Sequence, residues 1–176
     1  MLRQPQHKYP AFVPLALPDR QWPNQITRTP PVWLSTDLRD GNQALIEPMS
    51  AARKRQLFAL LVEIGFKEIE VAFPSASQTD FDFVRQLIEQ DAVPADVTLS
   101  VLTQSREDLI ARTIQALHGA RRAIVHLYNP IAPAFRRIVF NSDRAGVKAL
   151  AVRGAEQIRA LTARCPDTEW VFEYSP

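Results

Sequence analysis

Strand-like and helix-like segments alternate along this chain, five strands with four helices between them, and that order predicts an α/β fold built on a parallel sheet. Three observations carry the reading. Short β-rich runs recur along the chain, apolar residues at helical spacing fill the intervals between them, and capping residues mark the joints. Val32-Trp33-Leu34-Ser35-Thr36 reads as the first strand, followed by a polar loop from Asp37 to Met49. Ser50 is a good N-cap for a helix over 51–64, with Leu57, Leu60, Leu61 and Ile64 on its apolar face, and Gly65 stops it. Residues 69–73 read as the second strand, ended by Pro74. A helix over 78–90 then carries Phe81, Val84, Leu87 and Ile88 on one face.

The third strand spans 97–102. The helix after it, 106–118, buries Leu109, Ile110, Thr113, Ile114 and Leu117. Residues 123–127 form the fourth strand. A longer proline-containing loop leads to a helix over 143–163 with Val147, Leu150, Ala151 and Ile158 inward, and 170–174 is the fifth strand. Such an order fits an open doubly wound sheet or part of an eight-stranded barrel. A doubly wound nucleotide binder needs a Gly-rich turn after its first strand, and the sequence, with five glycines and no G-x-G-x-x-G, has none.

The first 31 residues are a separate arm. Pro5, Pro10, Pro14, Pro18, Pro23, Pro30 and Pro31 forbid a long helix there, which divides the chain into an arm, 1–31, and a domain, 32–176. The Arg20-Gln21-Trp22-Pro23 segment and Trp33 suggest that part of the arm is packed. Hydrophobic residues make up 46% and charged residues 23%, proportions of a globular protein. A net charge of +2, with Lys and Arg scattered, argues against nucleic acid as a partner. The single cysteine, Cys165, cannot close an internal disulfide, reads as a packing residue and fits a reducing cytoplasm. Neither a signal core in residues 1–10 nor an apolar run of membrane-spanning length is found, so a cytoplasmic protein off the membrane is expected.

In either architecture functional groups collect at the carboxyl ends of the strands. Those ends carry Asp37 to Gln43, then Glu70, then Thr103 and Gln104, then His126, Tyr128 and Asn129, then Glu173 and Ser175. Arg39 and Asp40 are the sharpest pair. A carboxylate there can hold a hard divalent cation, and a guanidinium can donate two hydrogen bonds to a planar carboxylate or carbonyl. Gly41 is expected to allow the tight backbone that aims both at one point. A solvated ion pair in a turn is the plainer alternative for that pair, and a packed histidine in a sheet is the plainer alternative for His126. Glu70 can orient Arg39 from the neighbouring strand, since a buried carboxylate needs such a partner. Glu68 faces the same side nearer the bottom, and Ser75, Ser77 and Gln78 suit capping of the next helix.

The string Asp37-Leu38-Arg39-Asp40-Gly41-Asn42-Gln43-Ala44-Leu45, with Lys54 following Gln43 after a ten-residue gap, resembles the first signature of the family of 2-isopropylmalate, homocitrate and citramalate synthases. More distantly it is similar to the hydroxymethylglutaryl-CoA lyase and pyruvate carboxyltransferase barrels. Pro48-Met49-Ser50, Glu68-Ile69-Glu70-Val71, the run from Phe73 to Phe83 and Arg20-x-Trp22-Pro23 narrow the resemblance to the long bacterial 2-isopropylmalate synthases, over residues 9–176. The resemblance implies a partial TIM (β/α)8 barrel. It implies a Claisen-type condensation of acetyl-CoA with 2-oxoisovalerate to 2-isopropylmalate and CoA, the committed step of leucine biosynthesis, by a homodimer.

It further implies a divalent metal, magnesium or manganese before zinc, with Asp40 as one ligand. Arg39 is implied as the catalytic, substrate-binding guanidinium, His126 and Ser175 as ketoacid-pocket residues, and Gln43 and Glu70 as supporting groups. The family's other metal ligands, a His-x-His pair and an asparagine, have no counterpart here, where the histidines are His7, His118 and His126. The glutamate that the family places directly after the Ser175-Pro176 pair is likewise absent. The chain is therefore expected to be a fragment that binds metal poorly and does not turn over. Other readings compete: a homocitrate or citramalate synthase, a lyase or carboxyltransferase of the same superfamily, and a non-catalytic half-barrel that pairs with another chain.

Overall fold

The computed structural model describes residues 31–176, together with Ala16, Pro18 and Asp19; the rest of the arm, including Arg20-Gln21-Trp22-Pro23, lies outside the described residues. Val32–Pro176 forms one compact unit. Its elements are β1 (Leu34–Ser35), α1 (Ala51–Ile64), β2 (Glu68–Ala72), α2 (Gln78–Glu89), β3 (Thr98–Gln104), α3 (Glu107–Ala116), β4 (Arg122–Tyr128), α4 (Pro133–Ile138), α5 (Arg144–Thr162) and β5 (Glu169–Ser175).

All neighbouring strands pair in parallel and the sheet order is β1-β2-β3-β4-β5. That order decides between the two architectures. A doubly wound sheet reverses its strand order at a switch point, with helices on both faces; here the order never reverses. The main helices also touch in sequence, α1 on α2, α2 on α3 and α3 on α5, as one layer on one side. The fold is an arc of a β/α barrel.

The core lies between that layer and the outer face of the sheet, where Ile69, Val71, Leu99, Val101, Ala123, Val125 and Leu127 are buried against Phe58, Leu61, Phe83, Val84, Leu87, Ile110 and Ile158. The register puts Glu70, Ser100 and Ile124 at one level of the inner face, and Leu102, His126 and Glu173 at the next. A register shift between Glu70 and Ala72 adds a residue to β2 directly above Glu70, a device that re-aims side chains beside sites.

Ser50 and Ser77 cap α1 and α2 through their hydroxyls, and Gly65 ends α1 at φ 110°, which glycine alone adopts freely. Four expectations need correction. In α1 the inward stripe is Lys54, Phe58 and Leu61, while Leu60 and Ile64 face out. The sequence pattern hid this because the innermost position is a lysine. The proline-containing loop holds α4, since Pro133 at its first turn is preorganised for a helix. Trp33, read from sequence as a packing residue, is 72% exposed. Gly41 is also ordinary: it lacks a positive φ, and an added Cβ would meet only Asp37 Cβ at 3.9 Å.

Candidate active site

The tight backbone of the loop after β1 comes from one carbonyl. Thr36 O accepts the amides of Arg39, Asp40 and Gly41 at 3.2, 2.8 and 3.3 Å, winding Asp37–Gly41 into a single π-type turn. Leu38 plugs this turn into the core. Ser35 Oγ donates to Asp37 Oδ2 at 2.6 Å, and the buried Asn42 accepts the Met49 amide at 2.7 Å, closing the far side of the loop. The turn therefore points Arg39 over the sheet and leaves Asp40 at its rim.

Arg39 Nε donates to Glu70 Oε1 at 2.5 Å, and its Nη1 donates to Asp40 Oδ1 at 2.9 Å. Glu70 is fully buried, and its second oxygen, Oε2, lies 2.7 Å from His126 Nδ1. On its other side His126 Nε2 lies 2.6 Å from Ser175 Oγ and 3.8 Å from Glu173 Oε1. One hydrogen-bonded line thus runs from the β1 loop through β2 and β4 to the end of β5. Burial alone would push the Glu70 carboxyl up. The hydrogen bond with His126 and the charge and hydrogen bond of Arg39 outweigh it and hold this carboxyl below its usual value. Glu70 is the ionised hub of the group.

Of the residues singled out from sequence, Arg39, Gln43, His126 and Ser175 share one cleft of about 360 Å³, whose other walls are Phe73, Leu102, Tyr128, Pro130 and Pro176. Glu70 lies beneath it, bonded to two of its walls. Asp40 stands at the edge with a 68% exposed side chain. Thr103, by contrast, turns to the helix side, in register with Leu127 and Tyr174. Sequence reasoning missed Phe73, Leu102 and Pro130, since an apolar residue at a strand end looks like core until the register is known. It also missed Asn42, whose only signal is a polar residue inside the loop string.

Volume does not select this cleft. A hollow of about 420 Å³ lies beside it against α4, walled by Phe135, Val139, Phe140 and Leu150, and another of about 320 Å³ opens at the opposite strand ends near Arg121 and Asp167. Convergent charged and hydrogen-bonded groups mark the cleft that holds Arg39, His126 and Ser175.

Among the described residues no three His, Cys, Asp or Glu side chains converge as a complete metal site. A hard cation takes six or more oxygens. Asp40 fits as one of them: it is exposed, beside the cleft, and only its Oδ1 is bonded among the described residues. No described helix is long and apolar enough to cross a membrane.

A family model described as HMGL-like matches residues 31–175. The whole chain aligns with proteins named 2-isopropylmalate synthase: it is 60% identical to that of Ralstonia nicotianae, covering 31% of that protein. It is 60% identical to that of Azotobacter vinelandii, covering 32%, and 62% identical to that of Cupriavidus taiwanensis, covering 31%. The chain spans about a third of the length of the curated relatives it matches.

Proposed function

The chain belongs to the HMGL-like family, and from that premise we propose that it carries the ketoacid-binding corner of a 2-isopropylmalate synthase. The reaction is the condensation of acetyl-CoA with 2-oxoisovalerate, followed by thioester hydrolysis to 2-isopropylmalate and CoA. One observation carries the reading: Arg39 is locked by a buried, ionised Glu70 at the mouth of a cleft whose remaining walls are largely apolar.

A Claisen-type condensation turns a ketone oxygen into an alkoxide, and the group that stabilises it must be held in place beforehand. Arg39 is so held. Its Nε is used by Glu70, leaving Nη hydrogens to face the ketoacid's planar carboxylate and ketone oxygens. The side-chain end of the ketoacid then meets Phe73, Leu102 and Pro130, which suit an isopropyl group. Arg39 is the one permanent cation among the cleft's described residues, so a second carboxylate, as in 2-oxoglutarate, finds no partner of that kind.

Asp40 would hold the divalent metal, which when bound supplies Lewis-acid polarisation of the ketone. Magnesium or manganese suits the carboxylate, and zinc suits a site completed by histidines. A homodimer and a cytoplasmic location belong to the same proposal. Titration of 2-oxoisovalerate into the chain with magnesium, followed by amide NMR, tests it. Wild type binds weakly, and excess magnesium tightens the binding. Arg39→Met weakens binding roughly tenfold to hundredfold, the worth of a charge-assisted hydrogen-bonding group, and Asp40→Asn removes the magnesium dependence. Equal binding by all three proteins would end the proposal.

A further inference from the structure

The line of contacts Glu70–His126–Ser175 can carry its protons in two directions, and the two differ in what the cleft offers a ligand. Heavy-atom positions alone allow either, because a neutral imidazole has one donor and one acceptor nitrogen and a hydroxyl can do both. Glu70 removes the choice. Its carboxylate is buried and takes Arg39 Nε on Oε1, so Oε2 has only acceptor capacity for the atom it meets, His126 Nδ1. Nδ1 must then bear the proton. In the neutral imidazole Nε2 is then the acceptor, and the Ser175 hydroxyl, 2.6 Å away, donates to it. Glu173 Oε1, at 3.8 Å, is beyond hydrogen-bond reach of Nε2 and does not compete.

We propose that Glu70 sets the polarity of this chain and acts as a positioning residue for specificity. It fixes His126 as the neutral Nδ1–H tautomer and turns the Ser175 hydroxyl proton away from the cleft, so that the wall opposite Arg39 presents lone pairs and no donor. Such a wall repels a carboxylate and leaves Arg39 as the one charged anion anchor among the cleft's described residues, with the neutral Gln43 amide and Tyr128 hydroxyl beside it. The cleft then takes a 2-oxo acid with one charged end and an apolar other end, and disfavours one with two charged ends, whose far carboxylate finds no second cation and meets the lone pairs of the His126–Ser175 wall.

The choice of 2-oxo acids rests on the function proposed above; the proton arrangement does not. The reach of Glu70 to His126 across β3 is possible because Ser100, its partner in register, is small. Gln at position 70 gives a reversal without a change of shape. Its carbonyl still accepts from Arg39, but its amide donates to Nδ1. The imidazole proton must move to Nε2, and the Ser175 hydroxyl is freed to donate into the cleft.

The test is the ¹⁵N spectrum of His126 in the full chain at neutral pH, in wild type, Glu70→Gln and Ser175→Ala, with binding of 2-oxoisovalerate and 2-oxoglutarate followed in the same samples. The expected result is Nδ1–H in wild type, Nε2–H in Glu70→Gln, and unchanged Nδ1–H in Ser175→Ala, together with a several-fold narrowing of the preference for 2-oxoisovalerate in Glu70→Gln. An imidazolium or an Nε2–H tautomer in wild type overturns the proposal. So does a tautomer that follows Ser175, or an unchanged acid preference when the tautomer has flipped. If Glu70→Gln does not fold, the wild-type and Ser175→Ala spectra decide the polarity. Expected spectra with neither acid bound would sink the substrate assignment and the selectivity drawn from it while leaving the proton arrangement standing.

Discussion

Replacing Lys54 with methionine separates a buried charge from the shape that surrounds it. The Lys54 side chain is wholly buried, its Nζ lies 2.5 Å from Asp80 Oδ1, and it sits 5.0 Å above the Phe83 ring. Asp80 is 16% exposed, and its other oxygen accepts the Phe73 amide at 3.0 Å. Methionine keeps the stem and fills the site, so the loss is electrostatic. Removing one partner of a buried pair costs about 3–5 kcal/mol. The partial exposure of Asp80 lets water take over some of its solvation, which puts Lys54→Met at about 3 kcal/mol. Asp80→Asn strands a fully buried ammonium and costs about 4 kcal/mol by the same argument.

The double variant leaves no buried charge, and its loss should fall short of the sum by at least about 2 kcal/mol. With a urea slope of about 2 kcal/mol per M for a domain of this size, Lys54→Met lowers the midpoint by about 1.5 M. Urea unfolding of the four proteins reads all of this. A coupling below about 0.5 kcal/mol would show that Lys54 and Asp80 act independently and that the pair does not staple α1 to the β2–α2 turn.

Other outcomes follow from the same geometry. Gly154 on α5 lies where an added Cβ would strike Ser105 Oγ and come within 3.0 Å of Leu127 Cδ2. Gly154→Ala should therefore cost about 1–3 kcal/mol in urea unfolding, with Ser105→Ala recovering part of the loss. The Glu70 carboxyl is depressed below 4.5 in the folded state, so the unfolded chain takes up its proton first as the pH falls. Its stabilisation is fully present above about 4.5 and is lost as pH drops through the folded value. Urea midpoints between pH 6 and 3.5 should fall more steeply for wild type than for Glu70→Gln, and parallel curves would contradict that assignment. Asp40→Asn, at a 68% exposed side chain, should change the thermal midpoint by no more than a surface substitution of about 0.5 kcal/mol does, whatever it does to metal binding.

Much of this fold was legible because its parallel strands are β-rich runs and its helices are separated by Ser50, Gly65 and Ser77, which cap or stop them through local chemistry. The site was legible where a charge had no reason to be in a strand: Glu70 and His126 stand in otherwise apolar runs. What stayed hidden depends on the third dimension. Lys54 reads as a surface residue of α1, and only the placement of Asp80 turns it inward. Phe73 and Leu102 become cleft walls through the register shift above Glu70 and through the pairing of Leu102 with His126. The loop at 37–41 reads as needing Gly41. It is in fact wound by Thr36 O, a backbone acceptor that no side-chain pattern reveals.

Because the strands lie side by side in the order in which they occur, the groups of the cleft are also strung along the chain in spatial order: Arg39, Glu70, His126, Ser175. A ribosome releases them in that sequence. When β2 emerges, Glu70 has only Arg39 for company. The protein partner of its second oxygen, His126, is made only with β4, after the whole of β3. The cleft's groups are thus synthesised in the order in which they stand across it, and its final hydroxyl arrives with the end of β5.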